Sequence, residues 1–509
     1  MKKYSDLEYL RLPKWHRFLY TLVCLIVGIP GGIWNGLKNL ANAIRKFFGK
    51  VAVEFVDIFV TFKEGDWKTR VSYLVMGFGS IARGQVLRGL LFLLMEVAFI
   101  VYMIFGGVHW MSMLDNLGEK GPVKEYDEFL DQYVTRYYDN SFKILLYGVL
   151  TMFFIVALIY TWRLNIKQNK IAEGILKSGK KLRSGKDDLR SMVDDQFHKT
   201  LLSLPLLGIT IFTVMPIIFM ILVAFTNYDS LHNGYSNNLF TWVGMENFNT
   251  MLSFGEGGNY GATFGEILTW TLIWAFFATF TNYFLGMGVA MMINKKGIKW
   301  KKFWRSCLVM TVAVPQFISL MYVSKMFGAN GIVNGTLMEL GLIKTALPFW
   351  TDGSWAKVWV IILNIWVGIP YLMLMATGIL MNIPADLYES AKVDGANAWQ
   401  QYVKITLPYM LFITGPYLLT SFIGNMNNFN IIFLLSGGGP SFTNAGGVLG
   451  APGETDLLVT WLFKMITTSE PAAYNLASVI GIMIFVVVSV ISLIVYNVMP
   501  SIKNEEDFQ

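Results

Sequence analysis

IPADLYESAKVDGANAWQQYVKITLP, residues 383–408, is a polar island between two long apolar runs. Pro384 suits the first turn of a helix, where its missing N–H costs nothing. Asp386, Glu389 and Lys392 then recur at helical spacing, with Leu387 and Ala391 on another face. Gly395, directly after Asp394, can take the left-handed conformation that stops a helix. A second amphipathic run, Asn397 to Thr406, ends at Pro408. The stretch therefore predicts helix, tight turn, helix. One face is apolar enough to lie against a membrane and the other polar enough to meet a soluble partner. An ordinary interfacial loop has the same composition, so the residues alone leave both readings open.

The runs on either side set the fold class. Of 509 residues, 54% are hydrophobic and only 15% charged, against roughly 25% charged in soluble domains. A large soluble core is excluded, and the chain reads as an all-α polytopic membrane protein. The 16 Trp, 23 Tyr and 38 Phe suit aromatic belts at the two membrane interfaces. About eight apolar stretches have the length of a span: Leu87–Gly107, Ile144–Trp162, Leu201–Phe225, Ile267–Ile293, Phe303–Phe327, Trp355–Leu380, Tyr409–Leu435 and Leu476–Met499.

Loop charge orients them. Arg163 to Lys199 carries ten basic residues against five acidic ones, and Asn294 to Arg305 carries six basic residues and no acid. Val108 to Asn140 has seven acids against three bases, and Asn227 to Glu266 has four acids and no base. Positive loops face the cytoplasm, so strict alternation places residues 383–408 and both termini on that side of a plasma membrane. The net charge of +7 follows from these loops, and nucleic-acid binding has no separate support. The organisation expected is a basic cytoplasmic or interfacial region over 1–86, two accessory helices over 87–162, a charged cytoplasmic linker over 163–200, a six-helix core over 201–499 and a cytoplasmic tail over 500–509. Within the first region, Phe18 to Trp34 is short and broken by Pro30-Gly31-Gly32, which suits surface or re-entrant structure better than a cleavable signal peptide. Leu37 to Lys50 reads as a basic helix lying on an anionic membrane surface.

Chemistry-bearing motifs are few. Gly179 and Gly185-Lys186 resemble a phosphate loop superficially, but the glycine spacing is one residue too long, Asp187 replaces the required Ser/Thr, and no strand precedes it. Any ATP hydrolysis belongs to another chain. Two cysteines, Cys24 and Cys307, and four scattered histidines form no catalytic or metal-binding constellation, so no catalytic residue, metal or cofactor is expected. Glu96, mid-span, is either a proton relay or an acid buried against a neighbour or placed near polar backbone. Ser436 to Pro440, SGGGP, permits close backbone approach at a loop.

Polar groups are costly in hydrocarbon and tend to mark interior positions. In the sixth span Asn364, Val367, Gly368 and Tyr371 fall at i, i+3, i+4 and i+7, one helix face. In the seventh, Ser421, Gly424, Asn425 and Asn428 have the same spacing. Amides both donate and accept, as sugar hydroxyls require, and no charged side chain sits on either face. A neutral polyhydroxylated ligand fits. So does plain helix packing, for which Gly, Ser and Asn are also used.

The order Glu389-Ser390-Ala391, Asp394-Gly395-Ala396, Ile405-Thr406-Leu407-Pro408 resembles the coupling loop, or EAA loop, of importer-type ABC permeases, with Ser390 where alanine is usual. From Leu201 on, the chain is similar to the larger permease subunit of bacterial maltose/maltodextrin ABC transporters. The resemblance is carried by FTNYDSLHNGYSNNLFTWVGMENF, VPQFISLMYVSKMFGANGIVNGTL, NIWVGIPYLMLMATGILMNIPADLYES, NNFNIIFLLSGGGP and TDLLVTW. It implies that the last six spans form a type I importer permease core with a cytoplasmic coupling helix. It also implies sugar contacts at Asn364, Val367, Gly368, Tyr371, Ser421, Asn425 and Asn428, with Gly424 departing from an aromatic residue. ATPase contacts are implied at Glu389, Ser390, Ala391, Asp394, Gly395 and Ala396. The short Asn227–Glu266 loop and long basic amino terminus look more like a Gram-positive version. Partners implied are a second homologous permease, a homodimer of ATPase subunits, an extracellular lipid-anchored sugar-binding protein, an oligosaccharide and membrane lipid. The rival reading from the residues is an ion-coupled secondary sugar transporter, which would need functional acids inside the spans.

Overall fold

The computed structural model describes residues 38, 42, 43, 45, 46 and 48–498, apart from 184, 256, 257, 296 and 444. The Phe18–Trp34 run, Cys24 and the tail over 500–509 lie outside the described residues, as does most of the expected surface helix over 37–50. Among the described residues, seven helices are long and apolar enough to cross a membrane, and an eighth crossing is counted if one sharply bent pair forms a single span. Two compact units are present. One comprises the described residues up to Met220 together with Asn233–Thr241, and the other comprises Ile221–His232 and the chain from Trp242 onward.

The first unit opens with a helix over 48–64, α1. Phe48, Phe55, Phe59 and Phe62 are exposed along it, and their spacing of seven, four and three residues keeps them on one stripe. The opposite face is acidic. Glu54 and Asp57 pair with Arg163, and Asp57 also with Lys170, both on the long helix α4 described below. Hydrogen bonds from Lys170 and then from Arg163 hold the Asp57 carboxyl below its ordinary pKa of 3.8. A carboxyl with a lowered folded pKa contributes stability at higher pH and loses it as pH falls through the folded value. Asp57→Asn should therefore speed amide exchange in 48–64 about fivefold at pH 7, the equivalent of about 1 kcal/mol for a partly exposed pair, with a smaller effect as pH falls below 3.8. An effect that does not change with pH would show that the carboxylate does not anchor α1.

Next come α2 (Trp67–Val71), capped by Asp66 accepting from Thr69 N–H at 2.8 Å, and α3 (Val86–Ser112), which contains a π-helical turn over Met103–Gly107. α4 (Ser141–Lys177) starts at Asn140, whose side chain accepts from Lys143 N–H. The irregular chain over 72–77 lies against α3 and α4, and side chains satisfy its backbone. Glu96 of α3 accepts from Met76 N–H at 2.8 Å. Trp162 Nε1 donates to Tyr73 O at 3.0 Å, and Asn165 accepts from Gly77 N–H and donates to Ser72 O. Irregular backbone next to apolar helices needs such partners. Glu96 is thus the acid placed against polar backbone, not a free intramembrane carboxylate. A two-stranded antiparallel hairpin, β1 (Val123–Asp127) with β2 (Gln132–Arg136), pairs Tyr126 with Tyr133. It interrupts the acidic loop and had no separate expectation.

α5 (Phe197–Val223) leads toward the second unit. That unit is organised around α6 (Tyr260–Asn294), whose buried residues run its whole length from Tyr260 to Ile293. A helix apolar all round is a buried helix. Trp274, Val360, Leu320 and Ile432 form one core cluster, and Tyr283, Met287, Met373 and Met410 another. A third, centred on Trp461 and Ile480, includes Ile267.

The fifth expected span, Phe303–Phe327, is not one straight helix. It is α7 (Lys301–Ala313) and α8 (Gln316–Met326), bent by 89°. Val314 has φ −79° and ψ 126°, the extended conformation that a following proline imposes. α9 (Gly353–Leu380) is capped by Asp352 and runs unbroken through Pro370. Then come α10 (Ala385–Val393), α11 (Ala398–Met426), the short α12 (Phe429–Leu435), α13 (Leu458–Thr467) and α14 (Tyr474–Val498).

Between α12 and α13 the loop is built on a buried carboxylate. Asp456 is fully buried and accepts from Gly453 N–H at 2.8 Å, Thr460 Oγ1 at 2.8 Å and Lys464 Nζ at 2.6 Å. Thr455 Oγ1 donates to Gly439 O at 2.7 Å. Thus the SGGGP stretch is tied by a polar contact to Thr455, three residues before α13.

Candidate functional site

The helix–turn–helix expected over 383–408 is present, with one difference. α10 begins after Pro384, places Asp386 in its first turn and Lys392 in its last, matching the helix dipole. Gly395 has φ +78° and reverses the chain: its N–H donates to Lys392 O at 3.0 Å and Ala396 N–H to Ala391 O at 2.8 Å. Asn397 and Gln400 then form a capping box. The second helix does not end at Pro408. Residues Tyr402–Thr406 form a π-helical turn, and α11 continues through Pro408 to Met426. The wider turn accommodates a residue that has no N–H to give and whose ring crowds the preceding carbonyl. Tyr388 Oη and Thr406 Oγ1, 2.9 Å apart, clamp the two helices.

The six residues singled out for coupling, Glu389, Ser390, Ala391, Asp394, Gly395 and Ala396, lie together on the last turn of α10 and the reversal. Glu389, Ser390, Asp394 and Gly395 are exposed, Ala391 and Ala396 half-buried. Glu389 has no hydrogen bond or ion pair among the described residues. On the same helix pair Leu387, Val393 and Trp399 are 48%, 89% and 70% exposed. Large apolar side chains grouped on a surface mark a contact region.

The intramembrane polar face is built by three helices, not two. On α9, Asn364 is buried, Val367 packs against the Trp274 cluster, and Tyr371 is exposed. On α11, Tyr417 and Ser421 lie one turn apart on one face, and the Tyr371 and Tyr417 rings lie 6.5 Å apart. These rings join the two sets. The seventh expected span stops at Met426, so Asn428 is off the helix that carries Ser421 and Asn425. It caps α12 instead, accepting from Ile431 N–H. The turn nevertheless brings it back, with Asn428 Nδ2 3.4 Å from Asn425 Oδ1. Gly424 is exposed with nothing where a side chain would begin.

α6 supplies the residues that sequence reasoning missed. Thr279 Oγ1 accepts from Asn425 Nδ2 at 3.0 Å, and Trp274 Nε1 donates to Asn425 O at 3.0 Å. One turn on, Asn282 lies against Gly368, where an added Cβ would sit 2.3 Å from its Nδ2. The signal was present: Thr271, Ala275, Thr279, Asn282 and Gly286 recur at three- and four-residue spacing through an apolar run. No Asp, Glu, Lys or Arg belongs to this set. A cavity of about 640 Å³ between α8 and α12 is lined by Phe317, Tyr322, Trp350 and Phe433. Its Ser324 is committed to Leu435 O, and Trp350 Nε1 to Ser324 O, whereas the α6–α9–α11 face carries Asn364 Nδ2 and Asn282 Oδ1 without partners. Among the described residues no group of His, Cys, Asp and Glu could hold a metal ion.

Residues 282–503 match the family described as binding-protein-dependent transport system inner membrane component. The maltodextrin transport system permease protein MalC of Streptococcus pneumoniae serotype 4 is 31% identical over 452 residues, covering 87% of this chain and 98% of that protein. The maltodextrin transport system permease protein MdxF of Bacillus subtilis is 32% identical over 443 residues, covering 85% and 95%. The galactooligosaccharides transport system permease protein GanP of the same organism is 31% identical over 436 residues, covering 85% and 97%.

Proposed function

Because this chain belongs to the family of binding-protein-dependent transport system inner membrane components, we propose that it is the permease subunit of an ATP-driven importer for neutral oligosaccharides of the maltodextrin type. The observation that carries the substrate class is the face shared by α9 and α11: amides, hydroxyls and a tyrosine pair, with no charge. Sugar hydroxyls need partners that both donate and accept, and rings of Tyr371 and Tyr417 offer stacking surface. A face without cations or anions suits a neutral glycan better than a charged one.

On this reading α10 and the Gly395 turn point into the cytoplasm, with both termini on the same side. They enter a groove on one ATPase of a pair, Glu389 making a polar contact and Leu387, Val393 and Trp399 the apolar ones. The chain performs no bond chemistry. A second, homologous permease completes the pathway, and an extracellular lipid-anchored sugar-binding protein delivers the glycan. ATP-driven closure of the ATPases rocks the two permeases between inward and outward states. The ion-coupled rival needs a free acid in the spans, and its clearest candidate, Glu96, is engaged with Met76 N–H.

The test is uptake by the complete importer in liposomes. Asn425→Ala and Tyr371→Ala should each raise the half-saturating maltotriose concentration about tenfold, the loss of one or two good polar or stacking contacts. Unchanged half-saturation and rate for every glycan tried would reject the sugar site.

A further inference from the structure

Two buried amide groups on the polar face are left unpaired. Asn364 is 3% exposed and its Nδ2 has no hydrogen-bond partner. Asn282 is 7% exposed and its Oδ1 has none. One is a donor and the other an acceptor. Both belong to one locality, since Asn282 covers Gly368 and Gly368 is one turn from Asn364 along α9. Buried polar atoms are nearly always paired, and each exception calls for a reason. Thr279, one turn before Asn282 on α6, shows that this helix already reaches the opposite wall by holding Asn425.

We propose that Asn282 is a ligand for the transported glycan, making α6 a third wall of the sugar site, where a single sugar hydroxyl donates to Asn282 Oδ1 and accepts from Asn364 Nδ2. The proposal rests on the oligosaccharide reading above and adds a residue to it. It gives both orphaned atoms a partner at once, since one hydroxyl both donates and accepts. It also gives Gly368 a role: any side chain there would push the Asn282 amide out of place. Binding to Asn282 would make the site depend on the orientation of one hydroxyl, because a group able only to donate or only to accept satisfies half of the pair.

The experiment compares Asn282→Thr with Asn282→Val in the complete importer reconstituted in liposomes, reading half-saturation for maltotriose. The two side chains share shape and differ in the hydroxyl, so any packing defect is common to both. The valine variant should need about tenfold more sugar than the threonine variant, the effect of one buried hydrogen bond to a ligand. Equal half-saturation, with Asn425→Ala still shifted, would overturn the role of Asn282 and leave the oligosaccharide function standing. If Asn425→Ala is also without effect, the sugar site itself is wrong. Should either Asn282 variant fail to assemble, Asn364→Thr and Asn364→Val provide the second measurement. They share shape, carry no charge and differ in the hydroxyl, so the valine variant should need about tenfold more sugar than the threonine variant. Equal half-saturation of the two would overturn the shared hydroxyl.

Discussion

Gly395→Val is expected to abolish sugar uptake while the protein still inserts and assembles. The residue sits at φ +78° with nothing within 4 Å of an added Cβ, so the obstacle is conformation, not space. A left-handed backbone costs an ordinary L-residue about 1–2 kcal/mol, and a β-branched one more. The valine would leave that conformation, breaking the bonds from Gly395 N–H to Lys392 O and from Ala396 N–H to Ala391 O. The reversal would open, and α10 would no longer present Glu389, Val393 and Trp399 together. Gly395→Asn is the control, since asparagine tolerates the left-handed region and should keep a large part of the activity. The measurements are maltotriose uptake and sugar-stimulated ATP hydrolysis at matched levels of assembled complex. Normal uptake in the valine variant would count heavily against the coupling role.

Asp456→Ala should be the most destabilising single substitution in the second unit, costing about 3–5 kcal/mol. Removing it leaves Lys464, 14% exposed, as a mostly buried ammonium without its counter-charge, and a broken buried pair costs that much. It also strips Gly453 N–H and Thr460 Oγ1 of their acceptor. Replacing both partners with apolar groups avoids the stranded charge, so Asp456→Leu with Lys464→Met should recover most of the loss. The check is the thermal midpoint and yield of the detergent-solubilised complex for the two singles and the double. Additive losses would show that the two residues act separately.

How far the sequence speaks for itself varies by element. The spans were legible because about twenty apolar residues leave few alternatives, and the Gly395 turn because a helix stop followed by a capping pair is a local pattern. The bend at Val314-Pro315 was written in the proline, but length and apolarity outweighed it. Pro408 misled in the other direction: it suggested an end, and a π turn just before it removed the need for one. Asn428 fell off the seventh helix because nothing in Asn427-Asn428 announces where a helix of apolar neighbours stops. Asn282 and Thr279 were hidden by their own surroundings. In a helix this apolar a few threonines and one asparagine at regular spacing are a faint signal, and Gly368 and Asn425, on other helices, reveal what those two side chains touch.

The π turn over Tyr402–Thr406 amounts to one surplus residue threaded into an otherwise regular coil. Each residue of an α-helix advances the azimuth by about 100°, so excising a single position from 402–406 would relax the turn into ordinary helix and swing everything N-terminal to it by about that angle. The capping pair, the Gly395 reversal and α10 would then face a different quadrant of the membrane plane while the rest of α11 stayed where it is. The bearing of α10 is thus set by the arithmetic of chain length as well as by the Tyr388–Thr406 contact.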